Sequence, residues 1–243
     1  MPRFHSAKLL SRRQWSDDLC SITLDKILDF APGQFVNLAA ARGSTAAFRP
    51  YSLASAPGEN CEFLITRVEG GALSPSLFEL KVGDELGLET TPEGLFQLRF
   101  VPAVPEMWFL STGSGLGPFV SMIRDPATWE KFERIIMVHG VRQHEQLAYL
   151  SSDFDAVPRG ALTWIPVLSR ERNPIFLNGR IPALIESGSL EKTAGISFEE
   201  KRCHIMICGN PEMIKDTTAV LKAKGLRKHR QRKPGHWSTE KYW

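Results

Sequence analysis

The chain is predicted to fold as two domains: a β-domain over residues 1–101 and an α/β domain built on a parallel sheet over residues 102–243. Two features of the sequence lead there. In roughly the first hundred residues, short apolar segments are punctuated by turn formers, which is the signature of a sandwich or barrel. Beyond the prolyl stretch Val101 to Pro105, apolar strand-like runs alternate with helical stretches, which implies a parallel sheet covered on both faces.

The elements follow in order. Phe35 to Leu38 and Glu62 to Val68 read as strands, bounded by Ala31-Pro32-Gly33, by Ala56 to Asn60 and by Gly70-Gly71. A short helix is expected at Ser74 to Leu80, with Pro75 in its first turn behind a Ser cap. Lys81 to Leu88 reads as a turn into another strand. After the prolyl link, Met107 to Ser111 leads into a helical stretch from Pro118 to Arg124. Ile135 to His139 is expected to lead into a second, from Gln146 to Phe154. Trp164 to Ser169 and His204 to Cys208 are further strands, the latter followed by a helix over Met213 to Lys224.

Composition narrows the function classes. With 42% hydrophobic and 23% charged residues among 243, the chain matches a globular protein large enough for proper cores. No apolar run is long enough to cross a bilayer, and Met1 to Ser16 is polar and Arg-rich, unlike a secretory signal, so a cytoplasmic location is expected. Four cysteines do not make a disulfide framework. Cys20 and Cys61 read as buried small hydrophobes. Cys203 and Cys208 flank a strand at an odd offset that sends their side chains to opposite faces, and the C-x2-C needed to complete an iron–sulfur pattern is missing. Neither a cluster nor a zinc site is expected.

The net charge of +3 hides an asymmetry. Lys222 to Trp243 carries eight Lys or Arg against one Glu, leaving −4 for the rest of the chain. Such a segment suits nucleic acid, an acidic protein or a phosphorylated ligand, or is a solvated helix end followed by a tail. The same tail holds Trp237, Tyr242 and Trp243, which point to docking on something flat or apolar, or to core packing.

Three short motifs carry chemistry. Gly113-Ser114-Gly115-Leu116-Gly117-Pro118 joins an apolar strand to a helix; glycines there let the backbone approach a pyrophosphate, and a helix N-terminus favours its charge. Pro118 replaces the third glycine of G-x-G-x-x-G, and packing alone also produces such turns. The next strand runs into Gly140-Val141-Arg142 instead of the acid that would bind a ribose 2′-hydroxyl. An arginine there suits a 2′-phosphate, and Arg170 and Arg180 follow later strand-like segments. Arg49-Pro50-Tyr51-Ser52 offers a cation, a flat ring and a hydroxyl, which are the needs of a flavin site, although four residues alone also fit an ordinary strand. Cys208-Gly209-Asn210-Pro211 is the third motif.

With these residues in view, the chain resembles bacterial ferredoxin (or flavodoxin)–NADP reductases of the short, FAD-containing enterobacterial-like type. The likeness covers nearly the whole length and adds Gly179 to Gly188 and a tail in which Pro234-Gly235-His236 precedes the terminal Tyr242-Trp243. It implies a six-stranded antiparallel β-barrel for FAD and a five-stranded parallel α/β domain for NADP. It also implies that Arg49 binds the FAD pyrophosphate beside Pro50, that Tyr51 stacks on the isoalloxazine and that Ser52 lies by the flavin N5. Ile65, Thr66, Arg67, Val68, Ala72, Leu73 and Ser74 continue the FAD site, Thr112 reaches it from the second domain, and Tyr242 and Trp243 pack against FAD. On the NADP side the family pattern assigns Gly113, Ser114, Gly115, Arg142, Ser169, Arg170 and Arg180, with Cys208, Gly209, Asn210 and Pro211 flanking the nicotinamide.

The implied activity is electron transfer: hydride passes from NADPH to flavin N5, and electrons leave singly, through the semiquinone, to an acidic ferredoxin or flavodoxin. Ser52, Tyr51 and Cys208 tune that geometry, the cofactor supplying the hard chemistry. A monomer without nucleic-acid or membrane partners is expected. Flavin, quinone or ferric-siderophore reduction on the same scaffold is the neighbouring possibility. A non-enzymatic protein binding RNA through the basic tail is the alternative of a different class, against which the terminal Tyr-Trp and the two-domain pattern weigh.

Overall fold

The computed structural model describes residues 4–40, 48–149, 154 and 157–241. Two compact units are present: one comprises residues 1–97 and 117–125, the other 98–116 and 126–243.

The first unit is a six-stranded sheet, all of whose neighbours run antiparallel. Its strands are β1 (Phe4–Ser16), β2 (Leu19–Ile27), β3 (Phe35–Ala39), β4 (Phe48–Ser52), β5 (Asn60–Thr66) and β6 (Glu85–Glu89), in the order β4-β3-β6-β1-β2-β5. Just past β4, Leu53 bridges Phe63 of β5 and the Ala54 N–H donates to the Glu62 carbonyl at 2.8 Å, so the two edge strands meet and the sheet closes as a barrel. Closure removes the exposed edges that an open sheet presents. The interior is filled by alternate residues such as Leu9, Ile22, Leu24, Val36, Leu38, Phe63, Ile65 and Leu88.

Among the described residues, two helices belong to this unit. Helix α1 (Ser74–Glu79) is one residue shorter than expected at its C-terminal end, and its N-cap position is Leu73. Ser74 is not a cap: its hydroxyl instead accepts the Val68 N–H at 2.9 Å, tying the loop after β5 to the helix start. At the other end, the Arg12 guanidinium donates to the carbonyls of Leu77 and Phe78 at 2.7 and 2.6 Å, a cation on the orphan carbonyls of a helix terminus. Helix α2 (Gly117–Arg124) is held within the unit by Arg124, which donates to the Ala54 carbonyl at 3.0 Å and pairs with Glu62 at 2.5 Å.

The second unit is a wholly parallel sheet of six strands rather than the five expected. They are β7 (Glu106–Thr112), β8 (Arg134–Val141), β9 (Leu162–Leu168), β10 (Leu177–Asn178), β11 (Cys203–Gly209) and β12 (Trp237–Lys241), ordered β10-β9-β8-β7-β11-β12. The additional strand comes from the basic tail, which returns as β12 along β11 with Trp237 opposite Ile205 and Lys241 opposite Gly209. Trp237 is 3% exposed and joins Ile205, Ile207, Leu221 and Leu226 in the core, so for this aromatic the core-packing reading holds. Around the sheet lie α3 (Pro126–Lys131), α4 (Ile181–Glu186), α5 (Ser189–Ala194) and α6 (Pro211–Ala223). Asn210 caps α6, its side-chain oxygen accepting from the N–H groups of Glu212 and Met213.

The helix expected at Gln146 to Phe154 is not seen among the described residues. A single 3-10 turn covers His144–Gln146, and Tyr149 follows with φ of 51°, a left-handed conformation that no helix continues. No described helix is long and apolar enough to cross a membrane.

Candidate functional site

Parallel α/β sheets bind ligands beyond the C-terminal ends of their strands, and the second unit brings its motifs together there. The register aligns Cys208 with Ser111 and with Glu240, and Ser111 with His139, so one row crosses four adjacent strands. The glycine loop then folds onto the Cys208–Pro211 turn. A Cβ on Gly115 would lie 2.6 Å from the Cys208 carbonyl oxygen and from the Gly209 Cα. One on Gly209, where φ is +134°, would lie 2.3 Å from the Thr112 hydroxyl. These two glycines are therefore required by backbone stacked on backbone. The Thr112 hydroxyl completes the contact by accepting the Asn210 N–H at 3.0 Å.

His139 pins the loop from beneath. Its Nε2 lies 3.3 Å from the Gly113 carbonyl, which can only accept, so Nε2 carries the proton. Complete burial lowers the imidazole to a pKa of about 4, leaving it neutral around pH 7. Ser111 is buried with its hydroxyl on the Val138 carbonyl at 2.8 Å.

The arginines form a second cluster. Val141 of β8 pairs with Leu168 of β9, and Leu168 with Asn178 of β10. Arg142, Ser169-Arg170 and Gly179-Arg180 follow directly from these ends. The Arg170 N–H donates to the Arg142 carbonyl at 3.0 Å, the Ser169 N–H and hydroxyl both reach the Val141 carbonyl, and the Gly179 N–H donates to the Leu168 carbonyl at 2.8 Å. With strands about 4.8 Å apart, the three arginines span about 10 Å. Arg172 follows in a loop braced by Asn178, whose side chain accepts the Asn173 N–H and donates to the carbonyls of Asn173 and Phe176. All four arginines are exposed, and among the described residues none of them pairs with a carboxylate. A cluster of uncompensated guanidinium groups repels itself and fits a phosphate, so the donor set matches NADP.

Glu240 was not among the residues expected from sequence. Its Oε2 is buried without a hydrogen-bond partner, and burial raises the carboxyl to about 7, where it holds a proton near neutrality. It stands in register with Cys208, whose thiol is fully buried. Its one signal in the sequence is that it is the only carboxylate in the basic tail.

In the barrel unit, Arg49, Pro50, Tyr51 and Ser52 all lie on β4. Arg49 is exposed and, among the described residues, donates to the neighbouring Phe48 carbonyl at 2.8 Å. Tyr51 is half-buried, with its hydroxyl pushed up to about 12 chiefly by burial. Ser52 is buried, and its hydroxyl makes no hydrogen bond among the described residues. Ile65 and Thr66 end β5, Arg67 and Val68 follow, and Ala72 and Leu73 lead into Ser74 at the start of α1. An exposed cation, a ring and a hydroxyl without a hydrogen bond among the described residues, all on one strand, fit a flavin nucleotide. Tyr242 and Trp243 lie outside the described residues.

The five exposed cations Arg227, Lys228, Arg230, Arg232 and Lys233 do not join the arginine cluster. They occupy a tight turn, closed by mutual backbone hydrogen bonds between Arg230 and Lys233, that precedes β12 and so sits at the N-terminal end of the sheet.

Fold and motifs thus define an FAD- and NADP-binding oxidoreductase. Residues 7–97 match the oxidoreductase FAD-binding domain family and residues 109–219 the oxidoreductase NAD-binding domain family. The chain is 37% identical over 243 residues to the flavodoxin/ferredoxin–NADP reductase of Escherichia coli K12, and 33% identical over 244 residues to that of Buchnera aphidicola from Baizongia pistaciae, with 98% of each chain covered in both. A ferredoxin NADP+ reductase from Neisseria gonorrhoeae, solved with bound FAD and NADP, superposes with a TM-score of 0.92 at 28% identity and 99% coverage of both chains. The chain belongs to the flavodoxin/ferredoxin–NADP reductase family.

Proposed function

We propose that the chain carries electrons between NADPH and a one-electron carrier of the ferredoxin or flavodoxin type. The observation that carries the reading is the set of four exposed arginines beyond β8, β9 and β10 that pair with no carboxylate among the described residues, in a chain whose barrel strand β4 presents Arg49, Tyr51 and Ser52. Bound FAD supplies the exchange between a two-electron donor and a one-electron acceptor, which no side chain performs.

The protein's own part is binding and orientation. Arg49 holds the FAD pyrophosphate, the Tyr51 ring covers one face of the isoalloxazine, and Ser52 offers its hydroxyl to the ring edge. The loop from Ile65 to Ser74 continues the site, braced by the Ser74 hydroxyl on the Val68 N–H. Arg142, Arg170 and Arg180 bind the 2′-phosphate with Ser169 beside them, and Gly113 to Gly115 line the pyrophosphate. The Cys208–Pro211 turn, fixed by Thr112, flanks the nicotinamide. Glu240 holds a proton next to Cys208, keeping that corner uncharged below about pH 7.

The test is anaerobic reduction of a flavodoxin by NADPH, followed at rising ionic strength. Reduction that slows with salt supports docking on an acidic carrier. Reduction of free flavins or quinones with no transfer to any flavodoxin or ferredoxin would overturn the carrier assignment.

A further inference from the structure

The arginine cluster contains a contradiction in charge, because Glu171 lies in sequence between Arg170 and Arg172. A carboxylate there is the natural internal partner for those guanidinium groups and the natural competitor of a bound phosphate. Yet among the described residues no arginine of the cluster pairs with it. Both of its oxygens are engaged by His144 instead. The His144 backbone N–H donates to Oε2 at 2.8 Å, and Nδ1 lies 2.9 Å from Oε1 and 3.0 Å from Oε2. The carboxyl is held below its usual range, first by the backbone N–H and then by the ring, so its charge is present at neutral pH.

The turn that presents His144 is itself braced. Gln146 Oε1 accepts the N–H groups of Arg142 and Gln143 at 3.1 and 3.2 Å, and the Arg170 N–H on the Arg142 carbonyl joins this turn to the Glu171 loop. The charged groups flanking the pair along these two loops are Arg142, Glu145, Arg170 and Arg172. Glu145 makes no ion pair among the described residues.

We propose that His144 is a specificity-determining positioning residue: by taking up the Glu171 carboxylate it keeps Arg142, Arg170, Arg172 and Arg180 free for a dianionic 2′-phosphate. The inference rests on the reading of that cluster as the 2′-phosphate site. Discrimination between NADP and NAD then depends on disposing of an internal competitor as well as on supplying arginines.

The test uses the FAD-loaded protein and two probes that differ only in the phosphate, adenosine 2′,5′-bisphosphate and 5′-AMP, with binding read by calorimetry. The wild-type chain binds the bisphosphate more tightly. His144→Ala removes both ring contacts and leaves Glu171 only the backbone N–H of residue 144, which frees the carboxylate to swing toward the arginines and weakens the bisphosphate by about fivefold while leaving 5′-AMP unchanged, the scale of a like-charge contact at a solvent-screened site. Adding Glu171→Gln to His144→Ala restores bisphosphate affinity to within about twofold of wild type, because the competitor has gone. Glu171→Gln alone costs nothing, and Glu145→Gln serves as the charge control.

If the double variant binds no better than His144→Ala, or if both probes weaken together, the pair merely ties two loops and the proposal is overturned. A wild-type chain that does not distinguish the probes overturns the reading of the cluster itself, and this inference with it.

Discussion

Gly115 and Gly117 stand two residues apart in one loop, and the structure gives them opposite roles. A methyl group on Gly115 would sit 2.6 Å from the Cys208 carbonyl oxygen and the Gly209 Cα, and 2.7 Å from the Cys208 carbonyl carbon. All three are backbone atoms of β11 and the turn it enters, held in register by β7 and β12, so none can swing aside as a side chain would. Gly115→Ala therefore forces the loop and the turn apart, an overpacking cost of about 2–3 kcal/mol. For a unit of this size that corresponds to a fall in midpoint of roughly 6–12 °C. Gly117 opens α2, and its added methyl would meet nothing nearer than 3.7 Å. Gly117→Ala is neutral or gains up to about 1 kcal/mol from helix propensity. Thermal and denaturant unfolding of the FAD-loaded variants separate the two. Equal stability of Gly115→Ala and wild type, or a loss for Gly117→Ala as large as for Gly115→Ala, would refute the assignment of Gly115 to backbone packing.

Three further outcomes are expected. Glu240 titrates at about 7 in the folded chain against 4.5 for an ordinary glutamate, so the folded state binds the extra proton and stability falls as pH rises through that window. Glu240→Gln should thus raise stability at pH 8 by about 1–3 kcal/mol and leave it unchanged near pH 4, which denaturant titrations at the two pH values check. Arg180→Gln should raise the KM for NADPH about tenfold with little change in kcat or in the KM for NADH, the loss of one charge-assisted contact to phosphate. Replacing Arg230 and Arg232 by Gln should leave NADPH affinity within about twofold, because that turn lies at the other end of the sheet from the strand ends that hold the cluster; a Kd measurement decides.

The α/β half was the more legible. Strands buried on both faces read as continuous apolar runs, and the cores of β7, β8, β9 and β11 were all recognisable that way. The long strand β1 was not, because its pattern buries little beyond Ala7 and Leu9, and its exposed half is rich in Arg and Gln. The tail strand β12 was hidden for a similar reason. Its pairing depends on β11, some thirty residues earlier, and only Trp237 of its five residues is fully buried, the next three being partly so. At Gln146 to Phe154 local propensity misled: Gln, Ala and Leu favour a helix, but Tyr149 takes a left-handed conformation with its side chain in the core.

Candidate site residues could be picked from the sequence where chemistry and position coincide. Arginines directly after strands could be singled out because strand ends are where such sheets bind ligands. Glu240 and His139 could not, since their altered protonation arises from burial created by strands distant in sequence. Gly115 was singled out for closeness to a ligand, whereas its tightest contact is the protein's own backbone. That Glu171 meets His144, twenty-seven residues earlier, and not the arginines beside it in sequence is visible only once the fold brings the two loops together.

The most direct measurement is an anaerobic absorption titration of the purified, FAD-supplied protein with NADPH and, separately, NADH. The expected result is a flavin spectrum that bleaches at NADPH concentrations at least about tenfold below those required of NADH, the discrimination of a charge-assisted phosphate site. A protein that takes up no flavin, or whose flavin bleaches equally with both nucleotides, would contradict it.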